Sequence, residues 1–334
     1  MGIDLPVLWF LIIGFALMMY VIMDGFDLGI GILFPFLDSR ADRDLMVNSV
    51  APIWDGNETW LVFGGAALFA AFSLAYSIIL SALYLPLICM LLGLIWRGVA
   101  FEFRTADEAH RPFWDKAFSW GSYIAGFSQG VALGAILNGI KVINGAYAGG
   151  VFDWLTPFSV FTGVGLLIAY ALLGSTWLVM KTEGALQQRM RGLARLIVLA
   201  LLLTIAIVSF WTPLTHSRVA ARWFALPDLE FFSPVPILVL LASWGLWRVL
   251  ARDTHAAPFL LALALVFLGY TGLVISIWPY IVPPQLTIWQ AASPPESMGF
   301  TLVGALFVIP FILVYTSWSY YVFRGKVRIS EGYH

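Results

Sequence analysis

Two pairs of carboxylates stand where a membrane protein can least tolerate idle charge. Asp24 and Asp27 lie in Met23-Asp24-Gly25-Phe26-Asp27-Leu28-Gly29, inside the first apolar run of the chain. Asp55 and Glu58 lie in Pro52-Ile53-Trp54-Asp55-Gly56-Asn57-Glu58-Thr59-Trp60, at the mouth of the next one. A charged side chain at membrane depth costs about 2.5–3.5 kcal/mol on insertion scales, so such residues have a partner or a task. Asp24 and Asp27 are three apart and share a helix face. Arg97, near the end of the third apolar run, falls at the same depth as these acids. Carboxylates gathered around one arginine are suited to proton entry, because buried carboxyls can exchange protons near neutral pH. A plainer reading stands beside this one. Asp55-x-x-Glu58 fits a capping box, and Asp24 or Asp27 would serve to neutralise Arg97.

The elements that must position these residues follow from composition. Hydrophobic residues make up 61% of the 334 and charged residues 11%, with a mean hydropathy of +0.89. An average soluble domain carries about 25% charged residues, so this is an all-α, polytopic membrane protein. About 20 apolar residues cross a bilayer, and that rule predicts nine transmembrane helices. They fall at roughly 7–34, 57–76, 79–101, 119–140, 158–180, 195–212, 234–250, 257–278 and 299–323. The second and third are split at Tyr76-Ser77, and the whole of 1–334 reads as a single integral membrane domain. The longest interruptions, 213–233 and 279–298, contain prolines and are too short to fold alone.

Lysine and arginine set the orientation. With the N-terminus outside, 15 of the 18 cations, Arg328 among them, fall on cytoplasmic segments and only Lys141, Arg218 and Arg222 outside. The positive-inside rule therefore places the N-terminus out and the C-terminus in the cytoplasm. The N-terminus has no basic region and no small-residue cleavage site, so it reads as the first span. A net charge of −1 gives no argument for a nucleic-acid partner, and none is expected. The lone Cys89 excludes a disulfide within the chain and cysteine metal clusters.

Glycines at every fourth position, Gly126, Gly130 and Gly134, and again Gly25 and Gly29, predict close helix packing. The four histidines, His110, His216, His255 and His334, all fall in loops or at the tail. Intramembrane haem takes His or Met ligands from helices, and lone methionines in apolar helices are usually core, so no haem is expected on this chain alone.

The runs Asp24-Gly25-Phe26-Asp27-Leu28-Gly29 and Asn48-Ser49-Val50-Ala51-Pro52-Ile53-Trp54-Asp55-Gly56-Asn57 resemble subunit II of the cytochrome bd-type quinol oxidases. Phe101-Glu102-Phe103-Arg104, Lys181-Thr182-Glu183-Gly184, Trp278-Pro279-Tyr280-Ile281-Val282-Pro283-Pro284 and Leu286-Thr287-Ile288-Trp289 extend the resemblance over about residues 5–325. It implies a heteromeric terminal oxidase of a bacterial inner membrane, in which quinol is oxidised and dioxygen reduced to water. It places two b-type haems and one d-type haem in subunit I, which subunit II would scaffold while helping cytoplasmic proton uptake. By position, Asp55 matches the family's tryptophan-adjacent aspartate with its proposed proton-path role, and Asp24 and Asp27 match its acidic pair. Trp54 and Arg97 are the expected neighbours of a structural quinone. Further expected partners are small single-helix subunits and membrane lipid. The chain departs from the family at Glu58, where members differ, and in the short 213–233 stretch. A different class of reading is a proton-coupled secondary transporter or channel. It would call for paired, Gly/Pro-broken helices in corresponding halves, which the sequence does not display.

Overall fold

The computed structural model describes residues 3–327; Arg328 and His334 lie outside the described residues. Within them the chain is built almost wholly of helices. In order these are α1 (Leu5–Leu33), α2 (Arg40–Asn48), α3 (Trp54–Ala71), α4 (Ser73–Ala106), α5 (Arg111–Asn138), α6 (Pro157–Lys181) and α7 (Gly184–Thr215). They continue with α8 (Ser217–Phe224), α9 (Asp228–Phe232), α10 (Pro234–Leu250), α11 (Ala257–Ile277) and α12 (Pro295–Val322). Two small antiparallel hairpins sit in loops, β1 (Val142–Ile143) with β2 (Ala146–Tyr147) and β3 (Tyr280–Val282) with β4 (Leu286–Thr287).

Seven helical segments among the described residues are long and apolar enough to cross a membrane: those built on α1, α4, α6, α7, α10, α11 and α12. α3 and α5 overlap the expected second and fourth spans but fall outside that set. Several expected boundaries are corrected. The division between the second and third spans is at Phe72 (φ −138°, ψ 57°), not at Tyr76-Ser77. Its cause is remote in sequence: Ser293 donates its N–H to Ala71 O, and its hydroxyl accepts from Ser73 N. The break thus has both its orphan backbone groups satisfied by a loop some 220 residues away. α7 begins 11 residues before the expected 195 and carries Pro213 within it. The 213–233 stretch is not an open loop but holds α8 and α9.

Helix starts follow local chemistry. Asp4 accepts from Val7 N ahead of α1, Ser39 accepts from Asp42 N ahead of α2, and Thr156 and Ser159 form a capping box ahead of α6. α1 is central: it packs against α3, α5 and α6, and α4 pairs along its length with α5.

Glycine makes these approaches possible. A Cβ at Gly174 would come within 2.7 Å of Ile30 N, and one at Gly29 would collide with the Tyr170 carbonyl. On α5, a Cβ at Gly130 would meet Thr162 O at 2.6 Å, and one at Gly121 would meet Arg97 N at 2.8 Å. The expected glycine rows therefore join α1 to α6 and α5 to α6, backbone against backbone.

Most cations gather at one end of the bundle, where they do two kinds of work. Arg104, its side chain only 3% exposed, bonds Asp115 Oδ1 at 2.6 Å and pairs with Asp44 Oδ1 at 2.8 Å. Arg111 adds a second contact to Asp44, and Arg43 one to Asp115, so α2 is clamped onto the ends of α4 and α5. Nearby, hydrogen bonds from His110 and Trp114 hold the Asp107 carboxyl below its ordinary range. Elsewhere at this end the cations cap carbonyls instead: Lys181 donates to Phe323 O, Arg189 to Phe36 O and Arg195 to Leu250 O. Lys141, Arg218 and Arg222 lie at the other end, near Asp153, Tyr280 and Trp278 O respectively.

Because Gly174 faces backbone, Gly174→Leu should cost about 3 kcal/mol or more through overpacking. Gly192→Leu, at a glycine with open space around it, should cost little. The yield and thermal midpoint of purified protein would show the difference, and equal effects would refute the packing account.

Candidate functional site

Nine residues before the end of α1 stands Asp24, and nine before the end of α4 stands Arg97. At a rise of 1.5 Å per residue each is about 14 Å inside the bundle from the basic end. Their side chains are fully buried and pair at 2.6 Å, Arg97 Nη2 to Asp24 Oδ1. The same Nη2 reaches Glu58 Oε1, on the second turn of α3. Glu58 is 25% exposed, so it connects a sealed pair to the surface. Three helices thus converge on one guanidinium.

Asp27 is equally buried but takes no contact from Arg97. Its Oδ2 accepts from Asn57 Nδ2 at 2.7 Å, and the Tyr320 hydroxyl of α12 donates to Asn57 Oδ1 at 3.0 Å. Asn57, at the end of the Trp-Asp-Gly-Asn block, is therefore a site residue that sequence reasoning misses, because both carboxylates beside it carry the stronger signal. Tyr20, four residues before Asp24 on α1, is buried beside the cluster and accepts from Gln129 Nε2 at 2.6 Å. It is missed too, although the i,i+4 spacing places it and Asp24 on one face.

The expected capping box does not form. α3 begins at Trp54 with Ile53 as its cap and no side-chain hydrogen bond, so Asp55 is already inside the first turn. Glu58 is drawn instead to Arg97, where a second carboxylate faces the buried cation at the same Nη2 that meets Asp24. Asp55 itself is exposed, beside the cluster's mouth but bonded to none of its members among the described residues. Of the carboxylates singled out from sequence, the structure gathers Asp24, Asp27 and Glu58 and leaves Asp55 on the rim.

Trp54 is half-buried, stacked on Phe101 with ring centroids 5.0 Å apart, and its indole edge lies against Gly98. Part of its surface stays exposed. Arg97 has no exposed surface and could meet an outside ligand only if its ion pairs opened.

Chemically the cluster carries more acid than base. Three buried or half-buried carboxyls share one cation, so at most one is balanced by a full charge. Arg97 Nε and Nη1 make no hydrogen bond to protein, nor does Asp27 Oδ1. Buried polar atoms in that position call for ordered water. An acid-rich, hydratable pocket with one partly exposed carboxyl can take up and release protons.

A helical bundle with seven segments long and apolar enough to span a membrane, and an acidic cluster buried near its basic end, defines a polytopic membrane protein. The family model described as cytochrome bd terminal oxidase subunit II matches residues 5–323. The chain belongs to the cytochrome bd terminal oxidase subunit II family. Cytochrome bd-I ubiquinol oxidase subunit 2 of Escherichia coli (strain K12) is 30% identical to it over 364 residues, covering 96% of this chain and 94% of that one. Cytochrome bd ubiquinol oxidase subunit 2 of Bacillus subtilis (strain 168) is 28% identical, covering 97% of each. In fold, the chain is similar to a chain of the bd oxidase from Geobacillus thermodenitrificans, with a TM-score of 0.73 over 93% of this chain and 97% of that one at 18% identity. Family membership speaks for the oxidase reading over the transporter or channel.

Breaking a buried ion pair from one side costs about 3–5 kcal/mol, whereas replacing both partners can be nearly neutral. Arg97→Met should therefore lower the thermal midpoint of the purified protein sharply. Arg97→Met combined with Asp24→Leu should recover a large part of the loss. No recovery in the double variant would show that the pair is not coupled as described.

Proposed function

We propose that this chain is the non-haem subunit II of a quinol-oxidising, dioxygen-reducing membrane oxidase, and that its buried acidic cluster feeds protons from the cytoplasm. The observation that carries the proton role is the Arg97–Asp24–Glu58 arrangement, in which a sealed pair meets a partly exposed carboxyl. Protons enter at the rim beside Asp55, pass to Glu58, and reach the Asp24 and Asp27 carboxyls, which have more acid capacity than Arg97 can balance. Asp55 serves as the collecting acid on the surface. Asn57 fixes the Asp27 carboxyl and links it to Tyr320.

This reading takes all nine long helices as spans, with the N-terminus outside and the basic end in the cytoplasm of a bacterial inner membrane. It is supported by the gathering of Arg43, Arg104, Arg111, Arg189 and Arg195 at one end and the isolation of Lys141, Arg218 and Arg222 at the other. The chain is then one integral membrane domain.

The haems, two of b type and one of d type, belong in subunit I. Haem iron takes His, Met, Cys or Tyr as axial ligand. The described histidines stand at helix ends: His110 in a short turn before α5, His216 between α7 and α8, and His255 ahead of α11. Among the described residues no group of three or more His, Cys, Asp or Glu is placed to hold a metal ion. When bound in subunit I, the haems supply electron transfer and oxygen reduction; this chain supplies shape and protons.

Subunit I, lipid and small single-helix subunits would share the apolar outer faces. α12 offers such a face in Phe300, Phe307, Phe311 and Trp318, each at least two-thirds exposed. A structural quinone would lie against Trp54 rather than against enclosed Arg97.

Asp24→Asn and Glu58→Gln should each cut oxygen consumption by the assembled oxidase about a hundredfold or more, within the range that general acid–base groups supply. Haem spectra and subunit assembly should persist. Asp55→Asn should slow turnover less, because water and neighbouring surface groups can substitute for a collecting acid. Full turnover of the Asp24 and Glu58 variants in an intact complex would refute the proton role.

A further inference from the structure

Beyond the carboxylates, a second polar chain runs through the apolar interior and ends on Tyr20, one helical turn from Asp24. The Tyr170 hydroxyl of α6 donates to Gln129 Oε1 at 2.7 Å. Gln129 Nε2, on α5, donates to the Tyr20 hydroxyl of α1 at 2.6 Å. Tyr20 lies four residues before Asp24, on the same face of α1. The Tyr170 and Gln129 donors thus both run toward the α1 face that carries Asp24.

The fold goes out of its way to admit this chain. The Tyr170 ring is fully buried where α1, α5 and α6 meet. A Cβ at Gly25 would stand 2.8 Å from its Cε1, and one at Gly126 would stand 3.3 Å from its Cδ2. A Cβ at Gly29 would strike the Tyr170 carbonyl. Glycines on two helices, members of both rows visible in the sequence, thus clear room for one tyrosine. A hydrophobic side chain would fill that room at lower cost, since a buried hydroxyl must find a partner.

The geometry points to Gln129, with Tyr20 and Tyr170, as positioning residues of the proton site: a hydrogen-bonded brace that locks α1, α5 and α6 in register beside the Asp24–Arg97 pair. The role is orientation and not conduction. A carboxamide does not exchange protons near neutral pH as a carboxyl does, so the chain stops protons at Gln129 while fixing the geometry outside it. The brace acts on Asp24 through Tyr20, and its worth comes from three helices being locked in register around the pair. This inference rests on the proton-uptake reading given above.

The groups facing Asp24 are Tyr20 and Asp27 on α1, Glu58 on α3, Arg97 on α4 and Tyr170 on α6, with Tyr320 of α12 beyond Asp27. The test uses the assembled oxidase carrying Tyr170→Phe or Gln129→Leu, with Asp24→Asn and Tyr123→Phe beside them. Tyr170→Phe keeps the ring in its glycine groove and removes only the hydroxyl, so folding is preserved. Tyr123 donates to Ile32 O, away from the cluster, and controls for loss of a buried hydroxyl.

Oxygen consumption is measured per haem across pH. Gln129→Leu should lose about tenfold in turnover, the equivalent of one hydrogen bond, and Tyr170→Phe somewhat less. In both, the pH profile should move to higher pH, because a loosened pairing with Arg97 favours the charged form of Asp24 less. Tyr123→Phe should match the wild type in rate and profile. If Asp24→Asn is slow while the Gln129 and Tyr170 variants keep the wild-type profile, the brace is refuted and the proton role stands. The same holds if those variants lower only the yield of complex. If Asp24→Asn itself turns over normally, the proton reading falls and the brace with it.

Discussion

One fully buried guanidinium governs the arrangement of this protein. Arg97 has no exposed surface, and a lone charge so placed would be among the most costly features a helix bundle could carry. Its cost is met only where α1 brings Asp24 and α3 brings Glu58 to within bonding distance of α4. That requirement fixes the depth at which three helices must cross. Close backbone approach then follows as a necessity. Gly121 lets α5 lie against the Arg97 backbone, and a Cβ at Gly93 of α4 would stand only 2.7 Å from both Gly121 O and Ala125 N. The glycines and the ion pair are two halves of one constraint.

The basic end shows the opposite solution to the same electrostatic problem. There Arg104 and Arg111 meet Asp44 and Asp115 near solvent, where pairing is cheap, and the result is a clamp that holds α2. Around α7, α10 and α12 the cations mainly end helices by taking up orphan carbonyls. Neither arrangement buries surplus acid. Among the described ion-pair clusters the Arg97 cluster does, and this contrast sets it apart from the structural charge at the basic end.

Much of this is legible in the sequence, and what is not has physical reasons. Depth can be counted along apolar runs, which places Asp24, Asp27 and Arg97 together from sequence alone. The glycine rows announce tight helix pairs. The start of α3 is not legible, because a capping box and an ion-pairing Glu58 look alike until Arg97 is known to lack a second partner. The break at Phe72 is hidden because Ser293, which stabilises it, belongs to another part of the chain. Asn57, Tyr20, Gln129 and Tyr170 escape notice because neutral polar residues in apolar helices carry no charge to flag them.

Those neutral residues change how the cluster works. Carboxyls alone around one guanidinium would have several equivalent pairings, and a proton arriving at Glu58 would meet a different geometry each time. Asn57 removes Asp27 from the competition by bonding it separately. Tyr20, bonded to Gln129 and through it to Tyr170, ties the Asp24 face of α1 to α5 and α6. With both aspartates assigned, Glu58 is the member that both pairs with Arg97 and reaches the surface. The proposed loading of protons from one side calls for this asymmetry, and here amides and phenols create it without adding charge to the membrane interior.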